Sequence, residues 1–545
     1  MSNAASATQL YEAISARNDG RALQIIEEVW SWYSKRKIVD DPAAAKRVQG
    51  TLALDLSASV RFNWENLNIP DDQGRTHLHV AALRSLPHIC NALVQRFMVD
   101  CNAQDNLGWT PLLYAAASKS LETVQALLKA GAKLSLKIPA KDGDLPLHVA
   151  VRKQNEMHFS VLLDAGAEID AKTKGGFTAL HLAAEFITER EDFDVLWYRA
   201  DETVRLQSSD TGRTIIHCAA AGNNYKLIER LISQGQRCDV QDKAGQTPLH
   251  IACACNAGPA AGALLGAGVD PNTQDTNGQT ALHVAARVGA LRIAQLLIRR
   301  GAAVDVCDAR GWTPLFEAVT ANQLATVRGL LAQGAQVNVR ANDGDLVSHA
   351  AARIAAAIPH LTVSQAGQLE EVMRDLVHAQ LNVNAVGAGG DTLLSISARV
   401  GSVRLLRMMM QFGAVLETSK MPPVPVPAIH CAAARADVEF LRTVIELGAD
   451  PSVCDTTGRP ALLAAMEAGR EANMLCLLEN GTCFALTSRI WSVGLFLTYL
   501  FRAESQAPTR MQCVQTTGRF FIKPSCSTNR HGALFFLTDP CFKLC

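Results

Sequence analysis

Blocks of apolar and polar residues follow one another along this chain in an order that repeats. A block such as Pro248–Cys253 places Leu, Ile and Ala where a short buried helix needs them, and a second block ends in a Leu-Leu pair such as Leu264–Leu265. Gly, Asn and Asp, the residues that favour turns, lie between the blocks. The pattern therefore predicts pairs of short helices joined by tight turns.

A short phrase beginning with Gly-x-Thr marks most copies of the pattern. It recurs with a step of 33 residues at Thr247, Thr280 and Thr313. Taking the Thr position as an anchor, the series is Thr76, Thr110, Leu145, Thr178, Thr214, Thr247, Thr280, Thr313, Leu346, Thr392, Pro427 and Pro460. A helix pair cannot bury its own apolar face, whereas stacked neighbours bury one another's. The periodicity therefore predicts a stack of about twelve repeats.

Each part of the phrase has a local physical role. The Gly two residues before the anchor suits a turn with positive φ, and Asp242–Gly245 is typical of a hairpin turn. The anchor Thr can cap a helix, and the Pro that often follows it fits the first helical turn. A Gly that recurs 21 residues after the anchor, as at Gly268, is suited to ending the second helix.

The phrase Asp-x-x-Gly-x-Thr-Pro-Leu-His-x-Ala-Ala, followed by Leu-Leu-x-x-Gly-Ala, resembles the ankyrin repeat over residues 68–481. The resemblance implies an all-α solenoid in which each repeat has a short β-hairpin and two antiparallel helices. It also implies that the chain binds other proteins through its hairpin tips and the concave face formed by the inner helices.

Three stretches depart from the repeat. The repeat that begins at Thr178 lacks its terminal Gly, and residues 191–206 are rich in charged and aromatic side chains. The repeat at Leu346 has about 13 extra residues, which predicts longer helices across 354–379, and four prolines in 421–427 predict a remodelled hairpin. Such departures either belong to a binding face or are defects in the stack, and the sequence leaves both readings open.

The two ends differ from the repeats. We interpret residues 1–67 as a helical cap or a degenerate repeat, because Thr8 lies two repeat lengths before Thr76 and apolar residues follow it at helical spacing. Residues 482–545 are rich in aromatic residues and Cys and contain no repeat phrase. We expect this tail to be poorly ordered, with an interaction or membrane-touching tail as the alternative.

Composition narrows the class of partner. The chain has 52 basic and 52 acidic residues and no long basic run, which disfavours nucleic acid. Its 15 cysteines are irregularly spaced, as in a reducing compartment, and Ile490–Phe501 is too short an apolar run to span a membrane. We therefore expect a cytoplasmic or nuclear monomer whose partners are other proteins.

Residues with catalytic or metal-binding potential are better explained by structure. Eight histidines share one repeat position, where the ring can bond the capping Thr and a neighbouring hairpin: His79, His148, His181, His217, His250, His283, His349 and His430. Cys253 and Cys255 lie in phase with core Ala residues, and no phosphate loop, catalytic Ser motif, zinc motif or kinase motif is present. We therefore expect no enzymatic activity, no metal and no cofactor.

The candidate binding residues are those that flank the turn Gly at the hairpin tips, where a side chain can vary without disturbing the core. They are Asn106, Leu107, Trp109, Lys174, Phe177, Lys243, Gln246, Thr276, Asn277, Gln279, Arg310 and Trp312. Trp and Arg dominate many protein interfaces. The alternative is that Trp109, Phe177 and Trp312 simply pack on adjacent hairpins.

Two functions fit these observations. The first is a scaffold or adaptor that holds a partner protein. The second is a regulatory or substrate-recruiting part of an enzyme whose catalytic domain lies beyond this sequence or on another chain.

Overall fold

An α-helix begins at the residue after every anchor, so the local capping signals do set the helix starts. The computed structural model describes residues 3–34, 70–97, 99–135, 143–188, 190–206, 208–357, 363–416, 427–480, 484–485, 511–516, 519–524 and 535–536. The chain divides into two units, Met1–Thr276 and Asn277–Cys545. Both contain the same helix-pair repeat.

The described part of the first unit contains fifteen α-helices. They are α1 (Asn3–Ser15), α2 (Asp19–Ser34), α3 (His77–Leu83), α4 (Pro87–Phe97), α5 (Pro111–Ala117), α6 (Leu121–Lys129), α7 (Pro146–Arg152), α8 (Glu156–Asp164), α9 (Ala179–Phe186), α10 (Arg190–Arg199), α11 (Glu202–Leu206), α12 (Ile215–Ala221), α13 (Tyr225–Ser233), α14 (Pro248–Ala254) and α15 (Gly258–Gly266).

The described part of the second unit continues with twelve α-helices. They are α16 (Ala281–Val288), α17 (Leu291–Arg299), α18 (Pro314–Thr320), α19 (Leu324–Ala332), α20 (Val347–Ala357), α21 (Val363–His378), α22 (Leu393–Val400), α23 (Val403–Gln411), α24 (Ala428–Ala433), α25 (Val438–Glu446), α26 (Ala461–Glu467) and α27 (Glu471–Glu479). A 3₁₀ turn, Ala388–Gly390, precedes α22.

Packing between helices follows one rule in both units. Within a repeat the two helices pack on each other, and within each unit a first helix packs on the first helix of the next repeat, as α5 does on α7 and α18 does on α20. The core residues between first helices are mostly Leu and Ala, for example the fully buried Leu180 and Ala183 in α9. Small residues at these positions let successive first helices approach closely.

The glycines that the sequence assigned to turns have positive φ. The turn Gly two residues before the anchor is left-handed, as at Gly245 (φ +73°), and so is the Gly after the second helix, as at Gly268 (φ +84°). The hairpins are hydrogen-bonded turns rather than extended strands. Among the described repeats only two of them, at Arg340–Leu346 and Cys454–Pro460, form isolated antiparallel β-bridges.

At the amino terminus, α1 and α2 form a helix pair of the same kind. Helix α1 packs on α2 and on α3, and α2 packs on α4, which is the arrangement found between repeats. Leu10, Ala13 and Ile26 are buried there. The interpretation of residues 1–67 as a cap remains a prediction, because residues 35–69 lie outside the described part.

The repeat at Leu346 has the longer helices that its extra residues predict. Helix α20 spans 11 residues and α21 spans 16, whereas the first and second helices of the preceding repeat span 7 and 9. The proline-rich hairpin at 421–426 lies outside the described residues.

Four short strands are described in the tail. Strand β1 (Phe484–Ala485) pairs in parallel with β4 (Phe535–Phe536), and β2 (Met511–Thr516) pairs in antiparallel fashion with β3 (Arg519–Pro524), with Met511 opposite Pro524. Most of residues 482–545, including the run Ile490–Phe501, lie outside the described part. The expectation that this tail is poorly ordered therefore stays a prediction.

Candidate functional site

The backbone of several hairpin tips is fixed by an Asp carboxylate at the start of the turn. Oδ1 of Asp105 accepts hydrogen bonds from the backbone N–H groups of Leu107 and Trp109, both at 2.8 Å, and the Asp105 N–H donates to the Trp109 carbonyl at 3.0 Å. Asp308 makes the same contacts with the N–H groups of Arg310 (2.9 Å) and Trp312 (2.8 Å). The side chains that follow the Asp are therefore presented on rigid turns.

Successive tips are joined by backbone hydrogen bonds. In the first unit the Lys243 N–H donates to the Thr211 carbonyl at 2.9 Å, and the Thr276 N–H donates to the Ala244 carbonyl at 3.1 Å. In the second unit the Ala309 N–H donates to the Asn277 carbonyl at 2.9 Å. Each unit therefore carries a ridge of ordered tips whose side chains a partner can reach together.

The structure exposes most of the predicted tip residues but buries one of them. Asn106, Leu107, Lys174, Lys243, Thr276, Asn277 and Arg310 are exposed, and Trp109, Phe177, Gln246 and Trp312 are half-buried. Gln279 is only 6% exposed. Its amide N–H donates to Glu317 at 2.8 Å and its carbonyl oxygen accepts from Arg287 at 3.1 Å. The expectation that Gln279 points away from the stack is therefore wrong.

The aromatic tip residues pack on the first helix of their own repeat. The Trp109 ring lies 5.0 Å from the Tyr114 ring, and Trp312 stacks on Phe316 with centroids 4.7 Å apart. The expected alternative was packing on an adjacent hairpin. Because each indole packs on a ring of the first helix and remains partly accessible, it forms a rigid apolar edge beside the exposed tip residues.

Arg310 completes a charged cluster on the outer side of Trp312. Its guanidinium lies 3.9 Å from the Trp312 centroid, donates to Asp308 Oδ2 at 2.9 Å and pairs with Glu317. Burial acts to raise the pKa of Asp308, but hydrogen bonds from the Trp312 N–H and from Arg310 lower the pKa overall. Arg310 is therefore both an exposed tip residue and the counter-ion of two buried carboxylates.

The first helices carry a second polar row, which the sequence analysis missed. In five described repeats the residue before the anchor bonds to the residue seven positions after the anchor, as in Asp144–Arg152 (3.0 Å) and Asp345–Arg353 (2.8 Å). The same relation joins Gln279 to Arg287, Asp391 to Arg399 and Arg459 to Glu467. Complementary side chains spaced eight residues apart around the anchor were the signal that could have revealed the row.

Glu185 lies at the equivalent position, seven residues after the anchor Thr178, but lacks such a partner. The residue before its anchor is Phe177, and no described cation lies within ion-pair distance of the Glu185 carboxylate. Burial raises the pKa of Glu185, although Arg152 and Arg213 act in the opposite direction. Glu185 is thus a half-buried carboxylate on the surface formed by the tips and first helices.

Several of the shared histidines join the start of their own helix to the next hairpin, as predicted. The Thr280 N–H donates to Nδ1 of His283 at 3.1 Å, and Nε2 of His283 lies 3.0 Å from the Trp312 carbonyl. Because Nδ1 accepts a hydrogen bond, the ring proton belongs on Nε2, which donates to the carbonyl. His79 and His217 make the same pair of contacts.

Burial lowers the pKa of these rings, although their backbone hydrogen bonds act in the opposite direction. The lowering applies to His79, His217, His283, His349 and His430. At His79, His217 and His283 a protonated Nδ1 could no longer accept the hydrogen bond from the cap, so the neutral ring is the form that fits the fold there.

Within the described ranges, His, Cys, Asp and Glu side chains nowhere come together in a group of three that could hold a metal ion. None of the described helices is long and apolar enough to cross a membrane. What the geometry does provide is ordered, solvent-accessible side chains on the tips and first helices.

Comparison with known families identifies the repeat. A family model described as ankyrin repeats (3 copies) matches residues 44–138, 189–275 and 253–341, and the single ankyrin repeat model matches residues 142–174. Together these matches cover about half of the 545 residues. The chain is an ankyrin repeat protein. Domains of this family are generally protein-interaction modules and typically lack catalytic activity.

Individual relatives of this ankyrin repeat protein match only part of it. Fowlpox virus (strain NVSL) protein FPV031, named as an ankyrin repeat protein, is 32% identical over 166 residues, which are 30% of this chain and 48% of FPV031. Danio rerio ZDHHC13, named as a palmitoyltransferase, is 29% identical over 173 residues, which are 32% of this chain and 26% of ZDHHC13. The chain therefore spans about half of the first relative and about a quarter of the second.

A solved ankyrin repeat domain from Acinetobacter baumannii AYE is also similar. It is 27% identical, with a TM-score of 0.34, and the match covers 37% of this chain and 98% of that domain.

Proposed function

We propose that this ankyrin repeat protein is a scaffold or adaptor that holds a partner protein against its hairpin tips and first helices. The observation that carries the proposal is the ridge of rigid tips, on which Asp carboxylates fix the backbone while the neighbouring side chains remain exposed. Rigid presentation lowers the entropy lost on binding, which favours affinity.

Leu107 provides the sharpest test of this proposal. Its side chain is 52% exposed on a tip, beside the half-buried Trp109. An apolar side chain left exposed on an ordered turn is suited to the buried centre of an interface. Replacing it by Asp would place a charge in that centre without disturbing the fold.

The experiment isolates the full-length chain from its native cells with bound proteins and compares Leu107→Asp with a matched control. Met157→Asp is the control, because Met157 is 68% exposed but lies on the second helix α8. We expect Leu107→Asp to reduce the recovered partner at least about tenfold while Met157→Asp retains it. Equal recovery by both variants, with circular dichroism unchanged, would contradict the proposal.

The second candidate function is a regulatory or substrate-recruiting part of an enzyme. It is supported by the match to ZDHHC13, a protein named as a palmitoyltransferase, of which this chain covers 26%. Two findings would favour it: a recovered partner that is itself an enzyme, or a transcript that continues in frame from these repeats into a catalytic domain. The absence of both would favour the simple scaffold.

A further inference from the structure

The repeat that begins at Thr178 leaves a groove between two second helices of the first unit. Elsewhere in that unit neighbouring second helices pack on each other, as α4 does on α6 and α13 does on α15. Helices α10 and α13 instead enclose a cavity of about 460 Å³ that opens to solvent. This volume is within the range of about 300–1,000 Å³ found for ligand pockets.

Specific contacts hold the groove in shape. Arg230 on α13 pairs with Asp194 on α10 across it, and the Asn224 amide donates to the Ile187 carbonyl at 2.7 Å at one end. Behind α10, Arg205 on the additional helix α11 donates to the Trp197 carbonyl at 2.8 Å. The stretch 191–206, which departs from the repeat pattern, therefore contributes to a groove whose shape is held by specific side-chain contacts.

The lining combines an apolar floor with a basic rim. Phe193 and Leu227 are buried in the floor, and Tyr198, which is 69% exposed, forms one wall. Lys226 and Arg230 line the groove, and none of its described lining residues is acidic. Because Asp194 already neutralises Arg230, the exposed Lys226 ammonium is the net charge among the described lining residues.

These features select the chemistry of the occupant. The floor requires an apolar side chain, and Lys226 is complementary to a carboxylate. A groove that is open along the surface suits an extended peptide better than an enclosed small molecule. We propose that this groove is a second interaction surface, separate from the tips, which binds an acidic peptide segment of a partner protein that seats an apolar side chain on Phe193 and Leu227.

The test uses a phage-displayed library of random 12-residue peptides selected on the full-length chain. Selected sequences are then made as fluorescein-labelled peptides, and their Kd is measured by fluorescence anisotropy. We expect Asp or Glu beside Leu or Phe in the selected peptides. Lys226→Glu should weaken their binding at least about tenfold, and Tyr198→Ser should also weaken it.

Lys119→Glu is the matched control, because it makes the same charge change at an exposed residue of the same unit that belongs neither to the tips nor to the groove lining and lies in the loop between α5 and α6. It should leave Kd within about twofold. The proposal is overturned if the selected peptides are basic, if they bind Lys226→Glu as tightly as the unmodified chain, or if the library yields no peptide whose binding depends on Lys226. Circular dichroism and melting of each variant would show that all three substitutions leave the fold intact.

Discussion

Arg310 illustrates how one side chain can serve both stability and presentation. Its partners Asp308 and Glu317 have side chains that are 1% and 4% exposed. Water cannot solvate these carboxylates, so the guanidinium stabilises their negative charge. The same guanidinium covers Trp312, which in turn covers Phe316. A substitution at Arg310 would therefore alter the packing of Asp308, Glu317 and Trp312 beneath the tip as well as the surface that the tip presents.

We predict that Arg310→Met lowers the free energy of unfolding by about 2 kcal/mol or more, measured by urea denaturation. Removing one partner of a buried ion pair costs about 3–5 kcal/mol, and the half-exposed guanidinium reduces that figure. Arg237→Met is the control, since Arg237 and Asp239 are both exposed and such pairs contribute about 1 kcal/mol or less. Similar losses in the two variants would show that Asp308 and Glu317 do not depend on Arg310.

The buried histidines predict a pH dependence of stability. Five of them have a folded-state pKa below the ordinary 6.5, so the unfolded chain binds protons first as pH falls. The free energy of unfolding should therefore decrease as pH drops from 7.5 to 5.5, a range above the titration of most carboxylates. Urea midpoints measured across this range would check the sign, and a constant or rising midpoint would contradict it.

At the scale of the element, the hairpin turn and the end of the second helix both require glycine, but for different reasons. A Cβ on Gly245 would lie 2.7 Å from the Thr276 nitrogen of the next tip. A Cβ on Gly268 would have no other atom within 4 Å. Both glycines have positive φ, so a side chain with a Cβ would be strained at either position. At Gly245 a steric clash would add to that strain.

We predict that Gly245→Ala destabilises the chain clearly more than Gly268→Ala does. The left-handed conformation alone costs a residue with a Cβ about 1–2 kcal/mol, and the clash at Gly245 adds to that cost because the contacted atom is backbone. Thermal melting of the two variants would provide the comparison. Equal shifts in Tm would mean that the tips can separate without loss of stability.

At the scale of the whole molecule, each repeat relies on its immediate neighbours. Helix α9 packs on α7 and α12, the first helices on either side, and Leu180 at its centre is fully buried. Stability in such a stack is approximately a sum of repeat and nearest-neighbour terms. A local defect should therefore weaken a local region.

We predict that Leu180→Ala accelerates amide hydrogen exchange in α7, α9 and α12 but leaves α3 and α4 close to unchanged. The truncation removes about 2–5 kcal/mol of local packing, and only adjacent repeats share it. Hydrogen exchange measured by mass spectrometry would map the effect. A uniform acceleration across the first unit would indicate a single cooperative block instead.

The sequence by itself determined the helix starts, the turn glycines and the role of the histidines. These features depend on chemistry within a few residues of the anchor, such as the cap at Thr280 and the ring at His283, or on a contact that recurs in several repeats. The periodicity then determined the class of fold, because identical modules can bury their apolar faces only on one another.

The tertiary structure alone decided the buried position of Gln279, the double role of Arg310 and the groove beside α10. Two of these depend on side chains that meet across neighbouring repeats, as Gln279 meets Glu317 38 residues away and Asp194 meets Arg230 36 residues away. The role of Arg310 depends on how its own hairpin folds against the first helix that follows. A repeat pattern specifies that neighbours touch, but the individual residues at each contact decide which side chain is buried and where the packing opens.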